Sequence, residues 1–256
     1  IRSGETYQTN LTQQITVQTS LSPAEIFLRL RRDHPAPFAA FLRRNDSTVV
    51  SASPERFLKI ANGIISASPI KGTRARGNTP AADEALRNEL LTSEKDRAEN
   101  TMIVDLLRND LGRVCEFGSV EVEKLCDLEE HPTLFHLVST ITGKLRDGVS
   151  FSDILKATFP CGSITGAPKI RTMKIIDELE PDNRGLSMGA IGIYVPPQFG
   201  IFDALFNMSV AIRTMTIRDG EAVFNVGGGI TIESDPESEY DESLLKAKAL
   251  LNALGF

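Results

Sequence analysis

No apolar run in this sequence approaches the ~18 consecutive residues that a membrane-crossing helix needs, and the opening IRSGETYQTN lacks the basic-then-apolar layout of a secretory signal. The cytoplasm is the expected location. Cysteine is scarce. Cys115, Cys126 and Cys161 are odd in number and form no CxxC pair, which speaks against a disulfide framework and against a thiolate zinc site. A basic excess is missing too: Lys plus Arg is 28 against 34 for Asp plus Glu, a formal charge of −6. With no basic tract to displace counterions from a polynucleotide, neither nucleic acid nor a membrane is an expected partner. There is no internal repeat, no low-complexity linker and no initiator methionine, and the last of these points to a piece of a longer protein. What is present is a chain of 256 residues, 41% hydrophobic and 24% charged, long enough to bury one large core or two modest ones.

Ser22-Pro23 followed by AEIFLRLRRD reads as an N-cap, a first-turn proline and an amphipathic helix that Pro35 terminates. The stretch STVVSASPERFLKIANGIISASPI alternates apolar and polar residues around Asn62-Gly63, the dipeptide most favourable to a two-residue hairpin. Thr79-Pro80 opens one helix. Ser93, with Asp96 three residues on, reads as a capping box for another, through EKDRAENTMIVDLLRND to Gly112. PTLFHLVSTITGK is rich in β-branched and aromatic residues and reads as a strand. Gly166-Ala167-Pro168 precedes the helix KIRTMKIIDELE, and NMSVAIRTMTI and AVFNVGGGITI flank Arg218-Asp219-Gly220, a second hairpin signal. Asp235-Pro236 caps a helix reaching Leu254. Hairpins that supply antiparallel sheet, with helices to cover it, predict an α+β fold forming one domain over residues 1–256.

Asp96 and Glu99 lie three apart, as do Glu239 and Glu242, so each pair projects from one face of its helix. Four carboxylates without His or Cys suit a hard cation such as Mg²⁺. Spacing alone favours solvated surface acids by about two chances in three, but the apolar MIVDLL after Glu99 argues for burial there. Lys246, four residues beyond Glu242, fits an exposed helix ion pair or a contact to a substrate carboxylate. GSITGAPK fails the phosphate-loop pattern, because its second glycine comes too early and Pro168 intervenes, which leaves at most an anion at the following helix N-terminus. Gly227-Gly228-Gly229 either brings backbone amides to a ligand or marks a bulge. His136, alone in an apolar strand, is more often a core residue than a catalyst. Lys71, in PIKGTRARG, reads as a loop residue facing solvent. If buried beside cationic Arg74 or Arg76 it would lose its proton more readily and serve as a nucleophile. Glu55, in Ser-Pro-Glu, is a surface turn residue or a general acid. No cysteine stands in a nucleophile-elbow context with a matching His, so the chain has no glutaminase of its own.

The blocks IRSGETYQTNL, SASPERFLK, PIKGTRARG, EKDRAENTMIVDLLRNDLG, LFHLVSTITGKL, FPCGSITGAPKIRTMKIIDELEP, VAIRT and GGGITIESDPESEYDES occur in this order. Together they resemble the chorismate-utilising enzymes, the family of anthranilate, aminodeoxychorismate, isochorismate and salicylate synthases. The resemblance implies a chorismate-binding, anthranilate synthase component I-like α+β domain with antiparallel sheets in the core and helices outside. It implies Mg²⁺ held by Glu99 and Glu242, with Asp96 and Glu239 in support. By the same resemblance Arg213, Lys246 and the amides of Gly227, Gly228 and Gly229 bind substrate carboxylates, Glu55 assists loss of the chorismate 4-hydroxyl, His136 faces the substrate ring, and Thr73 contacts the substrate.

Two positions sort the family members. Gln8 stands where the isochorismate and salicylate enzymes carry a water-activating lysine, which favours ammonia as nucleophile. PIKGT resembles the aminodeoxychorismate synthases, in which this lysine, here Lys71, attacks C2 of chorismate; anthranilate synthases resemble PIAGT. The implied activity is amination of chorismate at C4 to 4-amino-4-deoxychorismate, for p-aminobenzoate and folate, with ammonia from a glutamine amidotransferase subunit. Anthranilate synthase, or an inactive chorismate-binding fragment, is the alternative. Ser187, Ile193, Asn207 and the length of YVPPQFGIFDAL depart from the family's usual pattern, and the family's N-terminal part is absent from this sequence.

Overall fold

The structure, a computed structural model, describes residues 1–132, 134–196 and 205–256. From the N-terminus run β1 (Gln8–Gln18), α1 (Pro23–Asp33), β2 (Phe38–Arg43), β3 (Thr48–Ser53), β4 (Arg56–Ala61), β5 (Ile64–Ser68) and β6 (Ile70–Ala75). Next come α2 (Pro80–Thr92), α3 (Glu94–Gly112), β7 (Glu121–Glu130), β8 (Leu134–Lys144) and α4 (Phe151–Thr158). A single 3₁₀ turn precedes β9 (Gly166–Ala167), α5 (Lys169–Leu179), β10 (Ala190–Val195), β11 (Leu205–Val210), β12 (Thr214–Arg218), β13 (Glu221–Ile230) and α6 (Pro236–Leu254). Helices and antiparallel sheets make the α+β class expected from the hairpin signals. No helix among the described residues is long and apolar enough to cross a membrane.

The chain packs as two compact units: Ile1–Arg56, Ile164–Ile193 and Met208–Phe256 make one, and Phe57–Ser163 with the described part of Tyr194–Asn207 makes the other. The first unit holds a sheet of order β2-β3-β12-β13-β1-β9. Alternate residues Ala222, Phe224 and Val226 of β13 share one buried face with Met215 and Ile217 of β12, the period-2 pattern of a half-covered sheet. Against that face α1 packs Ile26 and Leu30, and α6 packs Ala247, Leu250 and Leu254, at helical spacing. The second sheet has the order β10-β11-β4-β5-β8-β6, with β7 also on β8. There Leu90 of α2 packs with Phe135 and Leu137 of β8, and α3 turns Asn100, Ile103, Val104, Leu107 and Leu111 inward.

Turn chemistry is obeyed where the sequence signals it. Asn62 and Gly63 take φ of 53° and 73°, and Asp219 and Gly220 take 50° and 80°, so both two-residue hairpins have the paired left-handed residues that match strand twist. Ser22 and Glu25 form a reciprocal capping box, whereas the box expected at Ser93 is only half made. Ser93 accepts the Asp96 amide at 3.3 Å, but the Asp96 carboxylate is drawn off to Arg74.

Three readings of the sequence need correction. Thr48–Ser53 and Arg56–Ala61, read as one alternating stretch, belong to different sheets. NMSVAIRTMTI is two strands in different sheets, interrupted where Arg213 takes φ of 48°. The PIKGTRARG loop is largely strand β6, because β8 supplies a ladder for it, with Ile70 opposite Val138 and Thr73 opposite His136. One extra residue on β6 makes a bulge there, and Gly72 sits in it at φ of 85°. Thr133, at the start of the predicted strand, and residues 197–204 of the YVPPQFGIFDAL stretch lie outside the described residues.

Candidate functional site

In the second unit β6, β8 and α3 each bring predicted site residues to one place. Lys71, on the bulged start of β6, is not solvent-facing: its side chain is 11% exposed and its Nζ lies 2.6 Å from Glu99 Oε1, itself 13% exposed. Nζ also donates to the Ser163 carbonyl at 3.4 Å. Arg74 is engaged by Glu89 at 2.7 Å and Asp96 at 3.1 Å, and Arg76 by Asp83. Burial acts to lower the Arg74 pKa, but the bonds from Glu89 and Asp96 outweigh it and hold the guanidinium above its ordinary value. Gly72 brings the strand close enough that a Cβ there would lie 3.0 Å from Asp96 Cβ. Buried His136 faces Thr73 across the ladder, Nδ1 being 2.9 Å from Thr73 Oγ1.

In the first unit Gln8 opens β1, fully buried and opposite Ala167 of β9. Glu55 is buried rather than a surface turn residue, its carbonyl accepting the Val210 amide at 3.1 Å. Arg213 stands near enough to Glu55 to feel its charge: burial pushes the guanidinium below its ordinary pKa and Glu55 opposes that shift. The glycine triplet is no bulge. Gly227, Gly228 and Gly229 continue the ladder opposite Thr12, Leu11 and Asn10. A Cβ on Gly227 would stand 1.9 Å from the Leu11 carbonyl oxygen, and one on Gly228 3.3 Å from Glu239 Oε2 and 3.5 Å from Lys246 Nζ. Backbone closeness to β1 thus excludes a side chain at Gly227, whereas Gly228 meets only the ends of two α6 side chains. Lys246 makes the i,i+4 ion pair with Glu242 at 2.7 Å and donates to the Gly227 carbonyl at 3.1 Å. Glu239 is buried and accepts from Ser234 Oγ at 2.6 Å. Of the departures, Ser187 accepts the Asn225 amide of β13 at 3.2 Å, Ile193 is exposed, and Asn207 lies on β11.

Among the described residues no three of His, Cys, Asp and Glu stand close enough to hold a metal ion. Within each unit taken by itself, Asp96 with Glu99 and Glu239 with Glu242 offer only oxygen donors, the ligand type of a hard cation such as Mg²⁺, and Asp96, Glu99 and Glu242 each accept from a basic side chain. Sequence reasoning missed the Ser163 carbonyl and Asn100. Only Asn100 left a signal, as a polar residue at a core position of the α3 apolar stripe. All three cysteines are buried, and no disulfide joins them.

A family model described as chorismate binding enzyme matches residues 1–252. The chain is 49% identical over 253 residues to the probable chloroplastic aminodeoxychorismate synthase of Oryza sativa subsp. japonica, covering 97% of this chain and 28% of that protein. It is 46% identical over 254 residues to aminodeoxychorismate synthase component 1 of Salmonella typhimurium, covering 99% and 55%. To anthranilate synthase component 1 1 of Haloarcula marismortui it is also 46% identical over 254 residues, covering 99% and 51%. Among solved structures, anthranilate synthase component I from Streptococcus pneumoniae superposes with a TM-score of 0.84 at 34% identity, over 98% of this chain and 54% of that one. The chain therefore spans between 28% and 55% of the lengths of these relatives.

Proposed function

The chain belongs to the chorismate-binding enzymes, and from that premise we propose that it carries the chemistry of an aminodeoxychorismate synthase component 1. The reaction is amination of chorismate at C4 with ammonia, giving 4-amino-4-deoxychorismate and water, a supply for p-aminobenzoate and folate in the cytoplasm. The observation that carries the choice is Lys71: the residue that distinguishes PIKGT from PIAGT is half-buried, and held against Glu99 rather than spread into solvent. A lysine kept merely for solubility has no reason to be there.

Lys71 first leaves its ion pair and loses a proton. Its amine then adds to C2 of chorismate, the two ring double bonds shift, and the 4-hydroxyl departs as water with a proton from Glu55. Ammonia adds at C4, the double bonds shift back, and the Lys71 amine is expelled. Arg213, Lys246 and the amides of Gly227, Gly228 and Gly229 hold the substrate carboxylates. Thr73 contacts the substrate and fixes the His136 ring beside it. Gln8 cannot act as the base that water would need, which leaves ammonia as the nucleophile. Mg²⁺, held by Glu99 and Glu242 with Asp96 and Glu239 in support, supplies charge neutralisation of a substrate carboxylate when bound. A glutamine amidotransferase subunit supplies the ammonia.

The test uses the full-length protein with chorismate, Mg²⁺ and ammonium. The expected product is one that an added lyase converts to p-aminobenzoate, glutamine alone supports no turnover, and quenching without ammonia leaves substrate-derived mass on the Lys71 peptide. Direct appearance of anthranilate establishes the second reading, which the Haloarcula relative at equal identity favours. Chorismate binding with no product at all reduces the chain to a binding module.

A further inference from the structure

Lys71, His136 and Glu99 sit on three different elements of one unit, and one buried polar knot touches the backbone beside each. Asn100 follows Glu99 on α3, is fully buried, and donates from Nδ2 to the Leu137 carbonyl at 3.3 Å, next to His136 on β8. Its Oδ1 accepts from Ser139 Oγ at 2.5 Å. Ser139, also fully buried, accepts the Cys126 amide at 2.9 Å, where β7 breaks register on β8 and Cys126 takes φ of 52°. The Ser139 amide donates to the Pro69 carbonyl at 3.2 Å, two residues before Lys71 and beside the β6 bulge.

Helix interiors disfavour Asn, and burying an amide and a hydroxyl in an apolar layer costs stability unless each is bonded. An apolar residue at either position would satisfy the layer without that demand. What the polar pair adds is geometry. Its side-chain bonds run in fixed directions to α3, β7 and β8, and they hold the point of β8 whose backbone amide ties the entry of β6, where both ladders are irregular. We propose that Asn100 and Ser139 are positioning residues: together they fix the start of β6 and the middle of β8 against α3, so that Lys71 stays within reach of Glu99 and His136 stays opposite Thr73. The role in turnover rests on the amination proposed above; the geometric role does not.

In the full-length protein, Ser139→Ala removes the hydroxyl from both of its partners. Displacing a reacting group by a fraction of an ångström lowers kcat by roughly tenfold to a hundredfold. The chorismate KM stays within about threefold of the parent, because the residues assigned to the carboxylates lie on other elements. Ser139→Thr restores the hydroxyl and most of kcat. Asn100→Ala matches Ser139→Ala, and the double variant is no worse than either, as for two residues acting as one unit. Should Ser139→Ala not fold, Ser139→Cys keeps its volume while weakening both bonds. A folded variant with parental kcat overturns the proposal, as does a loss of melting temperature that Ser139→Thr repairs without raising kcat. If the parent itself shows no turnover, the amination reading fails separately. The knot is then read from the nuclear magnetic resonance shifts of Lys71 and His136, which move in Ser139→Ala and return in Ser139→Thr; unmoved shifts overturn it.

Discussion

At Lys71 an ammonium lies 2.6 Å from a carboxylate, so the residue is an ionic partner before it is anything else. That partner was illegible in the sequence, because the contact between positions 71 and 99 depends on how α3 lies across a strand that itself reads as a loop. Local charge spacing offered Arg74 instead, and Arg74 faces two carboxylates of its own. The buried state of Glu55 and His136 was equally beyond spacing, whereas their identity as candidates was not. Cys115 shows what burial does to a group with no such partner. Burial pushes its thiol up from 9.0 to about 11, with Arg146 opposing. In the folded protein at pH 8, iodoacetamide is expected to leave Cys115 unmodified, and mass spectrometry after unfolding should find it labelled. The linkage sign follows: as pH rises from 9 to about 11 the unfolded thiol ionises while the folded one keeps its proton, so stability falls across that window and levels above it. Cys115→Ala should flatten that part of the denaturation profile.

Elements announced by short-range chemistry came through the sequence intact: both two-residue hairpins, the Ser22 cap and the proline-led starts of α1, α2 and α6. Elements decided by distant partners did not. β6 is a strand because β8 pairs with it, and the break at Arg213 exists because β11 and β12 belong to different sheets. The glycine triplet was ambiguous for the same reason, since only the register with β1 reveals which of the three has no room. Gly227→Ala sets a methyl 1.9 Å from the Leu11 carbonyl oxygen, and neither backbone can yield without parting the ladder. A loss of about 1–3 kcal/mol or more is expected from overpacking of this kind. Gly228→Ala meets only the ends of the Glu239 and Lys246 side chains, which can swing aside, so its cost should be smaller. Denaturant midpoints of the two variants check the order; equal midpoints would show that β1 and β13 separate easily.

For the whole molecule, composition and hairpin signals were enough for the α+β class, and the ordered blocks for the family. The division into two units was not legible, because each is assembled from segments far apart in sequence and no linker marks the joins. Long-range pairing of this sort slows folding relative to locally wired chains. The extreme case is the β1–β13 ladder, in which Gln18 faces Glu221. A ribosome finishes β1 about 200 residues before it completes β13, an interval on the order of 10–40 s at ordinary elongation speeds. Throughout that interval the nascent β1 carries unbonded amides and carbonyls along one side, an open template for other chains and a natural client for a holdase chaperone. Ribosomes stalled just before Glu221 should display β1 to limited proteolysis and to chaperone cross-linking, and release of the completed chain should abolish both; protection in the stalled state would mean that another segment shelters β1 until its partner is made.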